Sequence, residues 1–457
     1  MGLSFRRPIR QSPRPLRFLR YRSVLIILFL LFCEQQHLFY SYRQALSAKY
    51  AATHFNTVPD YRPSQSRQAQ NPVKEFRDTL VAGRQDWRVL GSGWEGTIYT
   101  YGQSVIKTFN TARSPLRNCV DRESNVRWPS EIPASLHFGS PKTSTLANHR
   151  NYTPLAFLPV QAYFQVAPSS FSPPEWHLVT PFLPGGNLEA LSKRIRSTQN
   201  ATSFRELDLR YRSSFNRLLE SLDSMHREGY CHDDVKPNNI FIDDGTVLGQ
   251  QDACNTTARE GEAIISPHNC TMNWILGDLG NVRHVGHPYH TSRIWRENHQ
   301  LHDCRANDAV RALKTYLQFL RAAAADAEVF DAEFFEQREP LSVLFWSITT
   351  KSLTMSASQL RFLSLSEAPS SSTLSKASIN VAEKRCTKTT ASGYKEKAGA
   401  LLPKIELAQL FSEQCVHSRP SRRHKRAVGR AIKITASEGT ARFWAMTRIF
   451  GLPKTTC

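Results

Sequence analysis

The apolar residues of this chain are unevenly spaced, and their pattern divides it into five stretches. Residues 1–22 carry seven arginines and no acid. An unbroken apolar run follows, Val24-Leu25-Ile26-Ile27-Leu28-Phe29-Leu30-Leu31-Phe32-Cys33, ended by Glu34-Gln35-Gln36-His37. The run is shorter than the roughly 20 apolar residues of a membrane span. Its arginine-rich flank does not suit a core helix, and no small-residue cleavage site follows closely. Residues 23–42 therefore read as a signal-anchor, with Tyr40 and Tyr42 as interfacial aromatics. Positive charge stays on the cytosolic side, which places the rest of the chain in a lumen or outside the cell. Residues 43–86 are polar, contain Pro59, Pro63 and Pro72, and read as a linker or stalk without sustained periodicity.

From Trp87 the pattern becomes that of a folded domain, residues 87–365. Trp87-Arg88-Val89-Leu90 predicts a strand, and Tyr99-Thr100-Tyr101 and Val105–Phe109 predict two more, joined by a turn at Gly102. His177–Thr180 predicts a strand running into a Pro/Gly turn, with a helix starting near Asn187. Phe215, Leu218, Leu219, Leu222 and Met225 have the spacing of a core helix. Trp274-Ile275-Leu276 reads as a buried strand, and a long helix follows Asp308. The stretch 366–457 opens on serines, is polar and basic, includes Arg422-Arg423-His424-Lys425-Arg426, and reads as a disordered tail.

A chain of 457 residues with 40% hydrophobic content can build a sizeable core. Its net charge of +20 favours anionic partners, but the charge gathers at both ends and no nucleic-acid reading motif accompanies it, so no nucleic acid is expected. Nine cysteines without a CxxC pair argue against a zinc site. Cys254 and Cys270 each lie beside an N-x-S/T triplet, and they are either bridged in an oxidising compartment or free surface thiols. His284, His287 and His290 follow no metal-ligand spacing and are expected to contact substrate or to serve structure.

The chemistry-bearing centre is Tyr230-Cys231-His232-Asp233-Asp234-Val235-Lys236-Pro237-Asn238-Asn239. Upstream lies Gly91-Ser92-Gly93-Trp94-Glu95-Gly96, followed by a strand rather than a helix, which excludes a dinucleotide-binding turn. Downstream lies Asp278-Leu279-Gly280 at the end of an apolar strand. In this order the motifs resemble the eukaryotic protein kinase superfamily, with a Ser/Thr-type catalytic loop, over residues 87–365.

That resemblance implies an α+β, two-lobed protein kinase-like fold, with a β-rich N-lobe, an α-helical C-lobe and ATP in the cleft. Carried over residue by residue, Asp234 takes the proton of the acceptor hydroxyl and Lys236 steadies the transferring phosphoryl group. Asn239 and Asp278 hold Mg²⁺ (or Mn²⁺), and Lys107 holds the phosphates beneath Gly91, Gly93 and Gly96. Glu123 is the expected acidic partner of Lys107, with Glu131 second, because Pro129 and Pro133 disfavour a helix beyond Arg127. Leu90 and Ile98 would enclose the adenine, and backbone groups from Thr180 to Phe182 would pair with its edge. Asp308 would support the catalytic-loop backbone. The sequence departs from the family in three places. Asp233 replaces an arginine that pairs with a phosphorylated activation segment, Leu279 replaces phenylalanine, and the Ala-Pro-Glu marker is missing. The implied activity is transfer of the γ-phosphoryl group of ATP to a protein serine or threonine. The alternatives are a lumenal glycan kinase, as among secretory-pathway kinases, and a pseudokinase scaffold.

Overall fold

The computed structural model describes residues 14–55, 72–93, 95–110, 116–119, 127–139, 156–167, 172–198, 202–243, 272–325, 327–336, 340–351, 355–366, 422–434 and 437–453. Glu123, Cys254 and Cys270 lie outside these residues.

The architecture is α+β. Strands β1 (Arg88–Ser92), β2 (Gly96–Tyr101), β3 (Ser104–Phe109), β6 (Ala162–Val166) and β7 (Glu175–Pro181) form one antiparallel sheet in the order β1-β2-β3-β7-β6. A short pair, β4 (Leu116–Cys119) and β5 (Arg127–Pro129), precedes helix α3 (Glu131–Gly139). Period-two alternation splits the side chains of β3 between two cores. Phe109 packs with Trp128, Ile132, Leu136, Trp176 and Leu178 on the α3 side. Ile106 packs with Leu80, Ala162, Phe164 and Val179 on the other. Leu80 comes from α2 (Pro72–Ala82), so part of the stretch expected to be a linker covers the sheet.

The largest core is helical. Helices α4 (Leu188–Ser197), α5 (Phe204–Arg227) and α7 (Cys304–Ala323) enclose Phe215, Leu218, Leu219, Leu222 and Met225, the residues whose spacing predicted a core helix. Ser203 and Glu206 form a reciprocal capping box at the start of α5. Two antiparallel strands, β9 (Ile240–Asp243) and β10 (Asn273–Leu276), lie against this core, and β8 (Tyr230–Cys231) pairs with β11 (Arg283–His284). Short α6 (Arg293–Glu297) and helices α8 (Ala327–Glu336), α9 (Pro340–Lys351) and α10 (Ala357–Ser366) complete this part.

Both ends of the chain depart from expectation. Helix α1 (Arg14–Lys49) is 36 residues long, and its segment Tyr21–Lys49 is long and apolar enough to cross a membrane. Its far end is docked and not part of a free stalk. Tyr42, Ala45, Leu46 and Tyr50 are buried with Cys231, Tyr289, Ile294, Trp295 and Cys304. The C-terminal stretch, expected to be disordered, contains α11 (Arg422–Ala431), α12 (Gly439–Trp444) and α13 (Thr447–Phe450). Val428, Ala431 and Ile432 join the main core, and Ala441 and Ala445 pack beside α1. The sequence hid these segments because each buries only one narrow stripe among charged residues.

His177 in β7 stacks on Phe164 at 4.9 Å, and burial pushes its pKa down from 6.5 to about 4. The unfolded chain thus gains a proton near pH 6.5 that the folded chain refuses. Stability contributed at this position is complete above pH 6.5 and is lost as the pH falls to about 4, by roughly 3 kcal/mol. The difference in thermal midpoint between wild type and His177→Phe, followed from pH 7.5 to 4, should therefore shift in favour of the variant as the pH drops. A pH-independent difference would contradict the assignment.

Candidate active site

The stretch expected to be the catalytic loop lies between β8 and β9, and its shape is fixed from behind. Asp308, fully buried in α7, accepts the His232 amide at 2.6 Å, the Asp233 amide at 3.0 Å and a contact from His226 Nε2 at 3.2 Å. His232 is equally buried: its Nδ1 accepts the Asp234 amide at 3.3 Å, which leaves the Nε2 proton for the Gly277 carbonyl at 3.2 Å. Asp233 adopts a left-handed backbone, φ 61°, a conformation that Asp tolerates better than most residues. The loop is also joined covalently to α7 through the Cys231–Cys304 disulfide, with Cα atoms 6.0 Å apart. Sequence reasoning singled out Cys254 and Cys270 and missed this pair. The signal was present: Cys304 stands one helical turn before Asp308, on the same face, and Asp308 was already assigned to the backbone beside Cys231.

With the loop held this way, Asp234 and Asn239 meet. Asn239 Nδ2 donates to the Asp234 carbonyl at 2.9 Å and to its Oδ2 at 3.2 Å, so Oδ1 is the atom of that amide that could hold a metal ion. Lys236 Nζ reaches Asp234 Oδ2 at 2.7 Å, and Arg311 Nη2 reaches Oδ1 at 3.1 Å. Asn281 Nδ2 adds a longer contact at 3.5 Å. Arg311 lies one turn after Asp308 and was not singled out from the sequence; the i, i+3 spacing was its available signal.

Lys107 and Asp278 are 171 residues apart in the chain and stand 3.1 Å apart. Asp278 also has a left-handed backbone, φ 53°, at the end of the β10 segment. Its carboxyl pKa is held low by the Lys107 ammonium, against the effect of burial, with help from Lys236. Burial pushes the Lys107 pKa down, but the carboxylates of Asp278, Glu131 and Glu95 outweigh it and leave the ammonium firmly protonated. Among the described residues, the acid beside Lys107 on α3 is Glu131, the second choice from the sequence; the favoured Glu123 lies outside them. Pro133 was the misleading residue. It lies in the first turn of α3, where its missing N–H would have had no helical acceptor, so the helix starts at Glu131 despite it. Burial raises the Glu131 carboxyl to about 7, against the pull of Lys107. Ser130 Oγ donates to the Gly280 carbonyl at 2.9 Å and ties the head of α3 to the turn after Asp278.

The glycines divide into two kinds. A Cβ on Gly96 would lie 1.9 Å from the Thr108 carbonyl oxygen, so β2 could not pair with β3 in this register without glycine. Gly91 faces open space. Gly91, Ile98 and Lys107 are paired in one row across β1, β2 and β3, so the open space above Gly91 lies on the face from which Lys107 projects. Leu90 forms a bulge in β1 and is more than half exposed, and Thr180 pairs with Val105. The Phe182 amide donates to the Gln103 carbonyl at 2.8 Å and Pro181 has no amide, so at these two positions only the carbonyls could face an adenine edge.

The histidines after Asp278 serve structure. His290 Nε2 contacts Asp233 Oδ2 at 2.9 Å, and His287 Nε2 contacts the Ala51 carbonyl at 3.1 Å. Arg283 Nη1 also reaches Asp233 Oδ2, at 3.1 Å, and its Nη2 reaches the Lys49 carbonyl at 3.3 Å. Despite burial, His290 and Arg283 keep the Asp233 carboxyl below the usual carboxylate range.

Asp308→Ala should leave two loop amides without their buried acceptor and lower stability by on the order of 3 kcal/mol. The urea midpoint of the full chain in detergent reads this, and a midpoint within error of wild type would contradict the role. No family model matches the chain. A probable serine/threonine-protein kinase of Dictyostelium discoideum is 35% identical over 66 residues, and the match spans 14% of this chain and 4% of the length of that protein.

Proposed function

We propose that this chain is an ATP-dependent phosphotransferase of protein-kinase type, acting on a hydroxyl and anchored in a membrane by α1. The observation that carries the reading is the convergence of Lys107, Glu131 and Asp278 at one point, with Lys236 linking that cluster electrostatically to Asp234 and Asn239. The antiparallel sheet, followed by a mainly helical part, supports a two-lobed arrangement with ATP between them. The partial likeness to a probable kinase agrees with it.

The donor set fits a divalent cation. Asn239 offers a neutral oxygen and Asp278 an ionised carboxylate, a hard all-oxygen pair suited to Mg²⁺ or Mn²⁺. When bound, such an ion would neutralise charge on the phosphate oxygens. Lys107 would hold the α- and β-phosphates, and the space over Gly91 would admit them where a side chain would intrude. The acceptor oxygen would bond to the γ-phosphorus as the bond to the β-phosphate bridge breaks, releasing ADP, with the hydroxyl proton passing to Asp234. Lys236 would offset charge on the transferring group.

The pairing at position 233 bears on regulation. An acid there, joined to Arg283 and His290, would hold the following segment without a phosphate. Transfer should therefore survive phosphatase treatment of the purified protein, and a large loss would overturn this part of the reading. Cys231–Cys304 suits an oxidising compartment, which supports a lumenal or extracellular orientation.

The central test is phosphate transfer from labelled ATP by the full chain in detergent with Mg²⁺ or Mn²⁺. Ser/Thr proteins and glycan acceptors would be offered in parallel. Asp234→Asn should lower turnover by on the order of 10²–10⁴-fold, and Asp278→Asn should abolish metal dependence together with activity. Transfer to glycans alone would select the glycan kinase. Metal-dependent ATP binding without transfer to any acceptor would select the scaffold.

A further inference from the structure

Helices α12 and α13 are built inside out. Their small residues Ala441 and Ala445 are buried beside α1, whereas the large apolar side chains of Phe443, Ile449 and Phe450 are 71%, 73% and 56% exposed. A short helical hairpin facing water ordinarily does the reverse. Met446, at φ 48°, makes the sharp turn that brings α13 round to α1.

The place of this hairpin along α1 gives the exposure a meaning. The Phe450 ring lies 5.4 Å from Phe39, and the Arg43 guanidinium lies 5.7 Å from the same ring. Arg43 Nη1 also donates to the Gly451 carbonyl at 3.2 Å. Phe39 stands five residues after Glu34, the first charge beyond the apolar run, which is about 8 Å along a helix. A leaflet's headgroup layer is about 5–8 Å deep. With the apolar run in the hydrocarbon, Phe39 and the end of α13 packed on it lie at headgroup level. Arg448 is exposed on the same short helix, and Trp444 is half-buried on its neighbour. An aromatic, aliphatic and basic set of this kind suits the boundary between headgroups and acyl chains.

We propose that residues 443–450 are a second membrane contact, a foot that rests in the leaflet α1 leaves and inserts Phe443, Ile449 and Phe450 at the headgroup–acyl boundary. The proposal rests on α1 crossing the bilayer. It is independent of the phosphotransfer reading.

The test places p-benzoylphenylalanine singly at Phe29, Phe443, Phe450 and Phe362 in the full chain. Each variant is reconstituted into vesicles of phosphatidylcholine and phosphatidylserine and illuminated, and adducts are identified by mass. Phe29 lies in the apolar run of α1, and Phe362 is a comparably exposed control on α10, which packs against α5. Lipid adducts at 29, 443 and 450, with none at 362, are expected. Lipid adducts at 29 alone, or protein rather than lipid adducts at 443 and 450, would overturn the foot while keeping the anchor. No lipid adduct at 29, together with release of the protein by alkaline carbonate, would remove the anchor and the foot with it.

Discussion

A carboxylate sealed away from water is costly unless every lone pair finds a donor, and Asp308 is such a group. It meets that cost with two backbone amides and an imidazole, all at the base of one loop. Those amides belong to His232 and Asp233, so the bond that makes the carboxylate tolerable also sets the direction in which Asp234 leaves the loop. The same helix supplies Cys304 one turn before and Arg311 one turn after, giving α7 three separate holds on the loop. The polar site in front is therefore built on a helix whose other faces belong to the main hydrophobic core.

In front of that frame the electrostatics are unevenly shared. Lys107 lies between Glu131 and Asp278, and the two acids do not respond alike. The lysine holds Asp278 ionised, whereas burial leaves Glu131 near neutrality's edge, at about 7. The more strongly ionised acid is thus the one proposed to hold a metal ion, and the other lies beside the lysine. Position 233 shows a second redistribution. A short acid in a left-handed backbone reaches inward, so its cationic partners must come to it, and Arg283 and His290 both do. Arg283 then spans to the Lys49 carbonyl, which ties the end of α1 into the network behind the site.

Much of this centre was legible in the sequence because its residues carry unusual chemistry at fixed spacing. Lys107, Asp234, Lys236, Asn239 and Asp278 could be picked out by motif, and Asp308 by its place before a long helix. What escaped notice depended on context. Glu131 was ranked second because a proline was judged by its presence, not by its position in the first turn of α3. Cys231 and Cys304 could be paired only after Asp308 was docked. Arg311 looked like an ordinary helix residue. The ends of the chain escaped for another reason: Tyr42, Ala45, Leu46 and Tyr50, and later Val428, Ala431 and Ile432, have helical spacing, but strongly polar surroundings mask it. The glycine motif holds residues of two kinds, since Gly96 serves strand pairing while Gly91 faces open space.

Helix α1 has no break between the apolar run and the docked residues Tyr42–Tyr50. A domain on a slack tether sweeps a hemisphere and samples targets at many distances. A domain welded to a rigid mast does not. With α1 in a bilayer, the site would travel laterally in two dimensions at constant altitude. Acceptors would then be sorted by the elevation of their hydroxyl above the lipid before any local recognition began.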